Sequence, residues 1–506
     1  MIASFTKQRI LTLFGIVGLA LAAATGCSQA ASGDVPPNLL IVTLDTTRAD
    51  FLSCYNQTKG STPYLDLLAT EGVRFAYANS ASAVTPVSHA TILTGRYPHT
   101  HGLRVISAEG AARLKNSEWF IADTLKQSGY STAAVHSAFP VSGAFGFDRS
   151  FDEFHSFDGD MELGKREGGT VWDQETLQRR SDDTTNLAIE VSDRLAEPFF
   201  MWLHYWDPHD DKLEPPNAFM IQRHVPKNKK MRGADQLYAT ELSFLDREFG
   251  RFLTHLRATE RYENTIIVVT ADHGEGLTDG MKLHGWGGHR TLNREQLHVP
   301  LIMRFPSKVE ARTNVVVKEL VRTADIVPTL LDYLQLPAPV VLDGGSLRGL
   351  IEGKEEEPRI AFSDQINGYD RNAHMVGKRP QSAFLYAVND GNWKLIYRPH
   401  APELSELYRV RTDRKEQENL YGKRADMEIE MLTLLAREAM WVTAPFLADG
   451  GEQIDASDAL GALGYSESVL SDAAWAWTCP VHRSLYFENQ DRCTECDELP
   501  IPIPAR

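Results

Sequence analysis

Cysteine is scarce in this chain: five among 506 residues, Cys27, Cys54, Cys479, Cys493 and Cys496. A chain of that length can bury enough apolar surface to dispense with a disulfide framework, so its fold rests on packing. Basic residues are in deficit too, 52 against 68 acidic ones, for a formal net charge of −16. Such a balance repels a phosphate backbone and argues against a nucleic-acid reader. Heptad runs, low-complexity blocks and obvious internal repeats are missing as well, which argues against coiled-coil, disordered and solenoid architectures. What is left is an ordinary globular composition, 42% hydrophobic and 24% charged, sufficient for one large domain and smaller pieces.

Nor is there a comfortable membrane span. Lys7 and Arg9 precede an apolar stretch, Ile10 to Ala24, that is too short for one. Residues 1–26 are read as a targeting segment, so the protein is expected to be exported. The sequence Ala24-Thr25-Gly26-Cys27 resembles a bacterial lipoprotein signal. That resemblance implies lipidation at Cys27 and a body facing the periplasm or the exterior, held to the membrane by acyl chains alone. The alternative is an ordinary cleaved signal peptide with an incidental cysteine.

Asn38–Leu44 is a continuous apolar run of the kind that forms a strand buried on both faces. Similar runs recur at Pro198–His204 and Asn264–Thr270. Helical patterns lie between, near 63–71, 118–129, 176–196 and 233–258. The alternation predicts an α/β fold with a central, mostly parallel sheet flanked by helices, over residues 37–374. Asn389-Asp390-Gly391 between two short apolar runs predicts a hairpin, and a helix is expected at 425–441. Residues 375–445 are therefore read as a small C-terminal α+β subdomain, 446–474 as a linker and 475–506 as a terminal module.

The chemistry-bearing residues fall just past the apolar strands. Asp45 follows the first, Asp207 and His209 the second, Asp272 and His273 the third. Ligands of open α/β sheets bind outside the carboxyl ends of the strands. Asp45, Asp272 and His273 can hold a divalent cation, and Thr85, at a loop-to-helix junction, offers a hydroxyl that such a cation would activate. Ca, Mg, Mn and Zn all suit those donors.

These segments, in this order, resemble the sulfatase family of the alkaline phosphatase superfamily. Asn38–Asp50 resembles its opening strand and metal turn, Thr85–His99 its nucleophile motif and Leu203–His209 its central histidine segment. Thr265–Glu275 resembles its second metal motif, and Glu406 to Asn419 its C-terminal signature. The resemblance implies an alkaline phosphatase-like fold over residues 37–445. It implies that Asp45, Thr85, Asp272 and His273 hold the metal and that Thr85 is the nucleophile. It further implies that His204 and His209 bind the anionic ester or protonate the leaving group, and that Arg96 or His89 neutralises substrate oxygens or orients the nucleophile loop. His284 and His289 lie in a Gly-rich loop expected to reach over the site. The implied substrate is a small anionic ester, carried on a glycan or a lipid.

The chain departs from that pattern at three places. Thr85 stands where formylglycine-forming relatives carry Cys or Ser, and Thr cannot give the aldehyde. Thr46 replaces the second acid of an Asp-Asp pair, and Ala134-Val135-His136-Ser137 replaces a Gly-Lys-Trp-His segment. A threonine ester must be broken by water or another acceptor attacking sulfur or phosphorus. The expectation is a metal-dependent hydrolase of sulfuric or phosphoric esters. The alternatives are a phosphodiesterase or phosphotransferase that passes the group to an alcohol, and a non-catalytic metal-binding lipoprotein. Asp207 and Asp211 would be available to a second metal, while His99 and His101 are expected to brace the nucleophile loop.

The tail carries Cys479, His482, Cys493 and Cys496. Two close pairs joined by a short loop suit a tetrahedral soft-metal site. They resemble a short heavy-metal-binding module, which implies zinc or another soft ion. A disulfide among these thiols is the alternative.

Overall fold

The computed structural model describes residues 35–105, 113–156, 178–209, 213–222, 231, 233–366, 384–399 and 401–438, with parts of the tail from 475 to 504. Cys27, Asp211 and His482 lie outside the described residues.

The main sheet has nine strands: β1 (Asn38–Leu44), β2 (Val73–Asn79), β3 (Ser131–Val135), β4 (Glu153–His155), β5 (Phe199–Tyr205), β6 (Thr265–Thr270), β7 (His298–Val299), β8 (Leu301–Arg304) and β9 (Val315–Arg322). They run in the order β4-β3-β5-β1-β6-β8-β2-β7, with β9 on β2. The contiguous set β4-β3-β5-β1-β6 is parallel, β8 is antiparallel to β6 and β2, and β9 is parallel to β2. The mostly parallel sheet expected from the apolar runs is present.

Period-two alternation splits each central strand between two cores. Leu39 and Ile41 of β1, with Ile266 and Val268 of β6, face one apolar cluster. Leu40, Val42 and Leu44, with Ile267 and Val269, face the other. Helices Thr85–Thr94, Ile121–Gln127 and Ile326–Leu334 cover the first face. Helices Pro63–Glu71, Ser181–Arg194 and Ala234–Ala258 cover the second. Both faces are thus sealed, which leaves the strand ends as the place for polar chemistry.

A second sheet comprises β10 (Ala361–Ile366), β11 (Phe384–Asn389), β12 (Lys394–Tyr397) and β13 (Glu406–Tyr408), all antiparallel, with helix Ala425–Glu438 packed on it. The expected hairpin is β11–β12, and Gly391 at its tip takes a positive φ of 86°. The small sheet starts at Ala361, ahead of the boundary drawn at 375, because β10 pairs along its full length with β11. The tail forms three short strands, β14 (Trp475–Thr478), β15 (Tyr486–Phe487) and β16 (Ile501–Pro504). Ile501 is buried in the same core as Leu432 and Leu435 of the C-terminal helix. The terminal module is therefore seated on the small subdomain through β16.

Candidate active site

Strands β1, β5 and β6 are parallel neighbours, so Leu44, Tyr205 and Thr270 end at one edge. The Asp45 N–H continues the ladder to the Tyr205 carbonyl at 2.8 Å and fixes Asp45 at that edge. Thr46 turns the chain with a positive φ of 45°, a strained conformation for a β-branched residue. The strain aims the Thr46 N–H at Asp272 Oδ1, 3.0 Å away, and the His273 N–H reaches the same oxygen at 2.7 Å. Helix Ala234–Ala258 holds the turn from behind. Its Tyr238 hydroxyl donates to the Thr46 carbonyl at 2.6 Å and accepts the Arg48 N–H at 2.9 Å.

Thr85 opens helix Thr85–Thr94, with Pro86 in the first turn, where its missing N–H costs nothing. All ten residues of this helix are buried. The helix N-terminus carries partial positive charge, a setting that favours an anion beside Thr85. The Thr85 hydroxyl lies 3.3 Å from His273 Nε2. His273 donates Nδ1–H to the Gly274 carbonyl at 3.0 Å, which leaves the lone pair of Nε2 facing Thr85. Gly274 is required there: a Cβ would stand 2.2 Å from the Glu295 carbonyl oxygen.

Asp45, Asp272 and His273 are fully buried, and one donor atom of each lies within 4.8 Å of the others. Asp45 Oδ1 and Asp272 Oδ2 have no hydrogen-bond partner although solvent does not reach them. Burial, then the neighbouring carboxylates of Asp272 and Glu275, push the Asp45 carboxyl well above its ordinary pKa. Two orphaned carboxylate oxygens beside an imidazole lone pair fit a divalent cation, which would remove that repulsion. The residues that would hold it are Asp45, Asp272 and His273, with Thr85 beside them.

His204 is brought to this site in a different role from the one expected. Its Nδ1 accepts the Ser137 N–H at 3.2 Å, so the proton sits on Nε2 and is donated to Asp45 Oδ2 at 3.1 Å. Burial, followed by the charges of His89, His136 and His209, pushes its pKa well down. With both nitrogens engaged in this arrangement, His204 orients Asp45 through its Nε2–H.

His209 stacks on Trp206 at 3.8 Å between ring centroids and faces His289 at 5.2 Å; His289 faces His273 at 5.0 Å. The Gly-rich loop thus reaches the site through His289, whose Nδ1 is 3.5 Å from Glu275 Oε2. Burial and then the neighbouring His289, His273 and Arg290 keep His209 well below its ordinary pKa, so it is neutral. His284 turns away, bonding Glu295 Oε1 at 2.6 Å and the Glu416 carbonyl at 2.9 Å. Asp207 accepts the Ser181 N–H at 3.0 Å and anchors the start of helix Ser181–Arg194.

Arg96 is not brought to Thr85. It follows the Gly95 C-cap (φ 69°), about 16 Å along the helix axis from Thr85 by helical rise. Its guanidinium is bonded to Glu118 Oε1. His101 reaches Thr91 Oγ1 at 3.2 Å and braces a later turn of the helix, while His99 stacks on Tyr97 beyond the helix end and lies 3.4 Å from Glu438. Sequence reasoning missed Ser137, Glu275 and Arg48. The Arg48 guanidinium bonds Asp50 at 2.9 Å, Asp279 at 2.6 Å and the Glu275 carbonyl at 3.1 Å, tying the turn after β1 to the segment after β6.

In the tail, the donor atoms of Cys479, Cys493 and Cys496 lie within 4.8 Å of one another, and none of the three is in a disulfide. Cys479 and Cys496 sulfurs are 3.5 Å apart.

Residues 37–336 match the sulfatase family, and residues 283–438 match the family described as N-sulphoglucosamine sulphohydrolase, C-terminal. The chain is 23% identical over 498 residues to an N-acetylglucosamine-6-O-sulfatase of Bacteroides thetaiotaomicron, covering 79% of this chain and 85% of that protein. It is 24% identical to an arylsulfatase of Clostridium perfringens, covering 70% of this chain and 86% of the relative. The fold is similar to that of the phosphonate monoester hydrolase of Agrobacterium radiobacter, with a TM-score of 0.59 at 19% identity, covering 79% of this chain and 94% of the other. A buried strand-end site and a match over most of the large domain agree: the chain belongs to the sulfatase family of sulfuric ester hydrolases, with the alkaline phosphatase-like fold.

Proposed function

We propose that Thr85 is the nucleophile of a metal-dependent ester hydrolase and that the transferred group passes through a covalent threonine ester. One observation carries this reading: the Thr85 hydroxyl opens a buried helix 3.3 Å from His273 Nε2, beside the unpartnered oxygens of Asp45 and Asp272. A divalent cation bound by Asp45, Asp272 and His273 would lower the pKa of the hydroxyl and stabilise charge developing on the ester. In the first step Oγ1 bonds to sulfur or phosphorus, the ester oxygen leaves, and the proton lost by Thr85 ends on the departing alcohol. Water then attacks the same atom, Oγ1 takes back a proton, and sulfate or phosphate departs. The helix N-terminus at Thr85 and an N–H of the neutral His209 ring suit an anionic ester.

Thr85 also favours a second reading in which phosphoric esters are substrates as well as, or instead of, sulfuric ones. A formylglycine hydrate releases sulfate by elimination, whereas a threonine ester relies on attack at the central atom, a well-used route at phosphorus. A panel of aryl sulfate, aryl phosphate and aryl phosphodiester, with wild type and Thr85→Ala under defined metals, tests both. Phosphoryl chemistry is abandoned if the sulfate alone turns over. The nucleophile is abandoned if Thr85→Ala is as fast as wild type.

The likeness to an N-acetylglucosamine-6-O-sulfatase supports a sulfated or phosphorylated sugar as the small anionic ester. The order of basic, apolar and small residues before Cys27 supports export with a lipid anchor, and no helix among the described residues is long and apolar enough to cross a membrane. The clustered thiols of Cys479, Cys493 and Cys496 support a soft-metal site, with zinc as the first ion to test and His482 as the fourth donor suggested by the sequence.

A further inference from the structure

His89 is one helical turn beyond Thr85, so the two side chains lie on the same face, leaning toward the helix N-terminus. Its Nδ1 donates to the Thr85 carbonyl at 2.8 Å and lies 3.6 Å from Asp272 Oδ2. That bond fixes the tautomer and leaves a lone pair on Nε2. His89 is fully buried, and Nε2 has no hydrogen-bond partner. Most buried side-chain nitrogens are hydrogen-bonded, so a bare Nε2 beside an acidic site calls for a partner. One donor atom of each of Asp45, His89 and His204 lies within 4.8 Å of the others, so this imidazole shares the Asp45 carboxylate with the ion site. His204 cannot use that proximity to bind an ion, because Ser137 occupies its Nδ1 and its Nε2 proton goes to Asp45. His89 can. An imidazole whose far nitrogen donates to a backbone carbonyl is held as metal-ligating histidines are held.

We propose that His89 is a ligand of the catalytic ion, giving a donor set of two carboxylates and two imidazoles that selects a first-row transition ion over Ca2+ or Mg2+. This rests on the reading of Asp45, Asp272 and His273 as the metal site. Calcium and magnesium take oxygen ligands, whereas imidazole nitrogen suits the transition ions. The residue that carries the nucleophile's helix thereby also ties that helix to the ion, through His89 and through its bond to the Thr85 carbonyl.

The test loads the metal-stripped full chain with Mn2+, which the soft thiolates of the tail bind weakly. Electron spin-echo modulation counts the imidazole nitrogens coupled to the ion, and equilibrium dialysis gives its affinity. Wild type is expected to show two coupled imidazoles. His89→Ala and His89→Gln are expected to show one, with the dissociation constant raised roughly tenfold or more, and preference for Mn2+ over Ca2+ reduced. A wild-type spectrum with a single imidazole overturns the proposal and needs no variant to fold. So does an unchanged count and affinity in the His89 variants. If His273→Ala loses its imidazole and wild type hydrolyses the ester while His89→Gln changes nothing, the inference alone fails. If Mn2+ binding is indifferent to both histidines and to Asp45→Asn, the metal reading beneath it fails as well.

Discussion

His204 Nε2 stands 3.1 Å from Asp45 Oδ2, and the direction of that hydrogen bond is set by the Ser137 N–H on the far side of the ring. The sequence places the three residues far apart, yet together they decide which oxygen of Asp45 is free. Oδ2 is taken, and Oδ1 is left without a hydrogen-bond partner.

His204→Ala should therefore act on metal affinity before it acts on chemistry. Loss of an orienting partner typically weakens binding about 10–100-fold. Turnover at saturating metal should recover most of the wild-type rate. Titration of activity against free metal separates the two effects; a kcat that stays low at saturating metal would mean that His204 touches the reacting groups.

Arg96→Met should leave kcat/KM within about twofold, since Arg96 is about 16 Å along the helix from Thr85 and bonded to Glu118. Its cost should appear in stability. Leaving the largely buried Glu118 without its partner should lower the unfolding free energy by about 1–2 kcal/mol. Denaturant unfolding alongside steady-state kinetics checks both halves.

His284 supplies a pH signature. Burial opposes its charge, but the hydrogen bonds to Glu295 and to the Glu416 carbonyl outweigh it and hold the pKa up at about 9. The folded value lies above the ordinary one, so the stabilisation is complete below about pH 6.5 and is lost as pH rises through about 9. Linkage bounds it at about 3 kcal/mol. Unfolding free energy measured from pH 6 to pH 10 should fall more steeply for wild type than for His284→Gln. Parallel curves would remove His284 from the account of that segment.

The tail thiols should bind about one equivalent of Zn2+ or Cd2+ per chain. With Cd2+ the thiolate charge-transfer absorption should appear, and Cys493→Ser should weaken it. Ester turnover with the catalytic ion supplied should be unaffected by that substitution. Failure of the oxidant-free protein to take up either ion would leave the cysteines with a redox or packing role.

Much of this architecture could be read from the chain. The strands around Leu40, Phe200 and Ile267 are apolar on both faces because helices seal both faces, and a continuous apolar run records that directly. Asp45 and Asp272 were legible because they end such runs. Arg96 misled for a geometric reason: the motif writes it eleven residues after Thr85, and an α-helix turns that separation into distance. The role of His204 depends on a backbone N–H from Ser137, two residues past the end of β3, and no residue-type pattern encodes that. The buried Lys394–Glu416 ion pair, at 2.7 Å, gives Lys394 a structural part, and its partner is set by the folding of the small sheet.

The most direct test is acid-quenched mass spectrometry of the full chain during turnover of an aryl sulfate and of an aryl phosphate. A Thr85 nucleophile requires a sulfuryl or phosphoryl adduct on the peptide that contains Thr85. The adduct should be absent in Thr85→Ala, with turnover lowered roughly ten-thousand-fold. Thr85→Ser, which keeps the hydroxyl, should still form it. Turnover by Thr85→Ala at the wild-type rate, with no adduct on Thr85 in wild type, would contradict the mechanism at its centre.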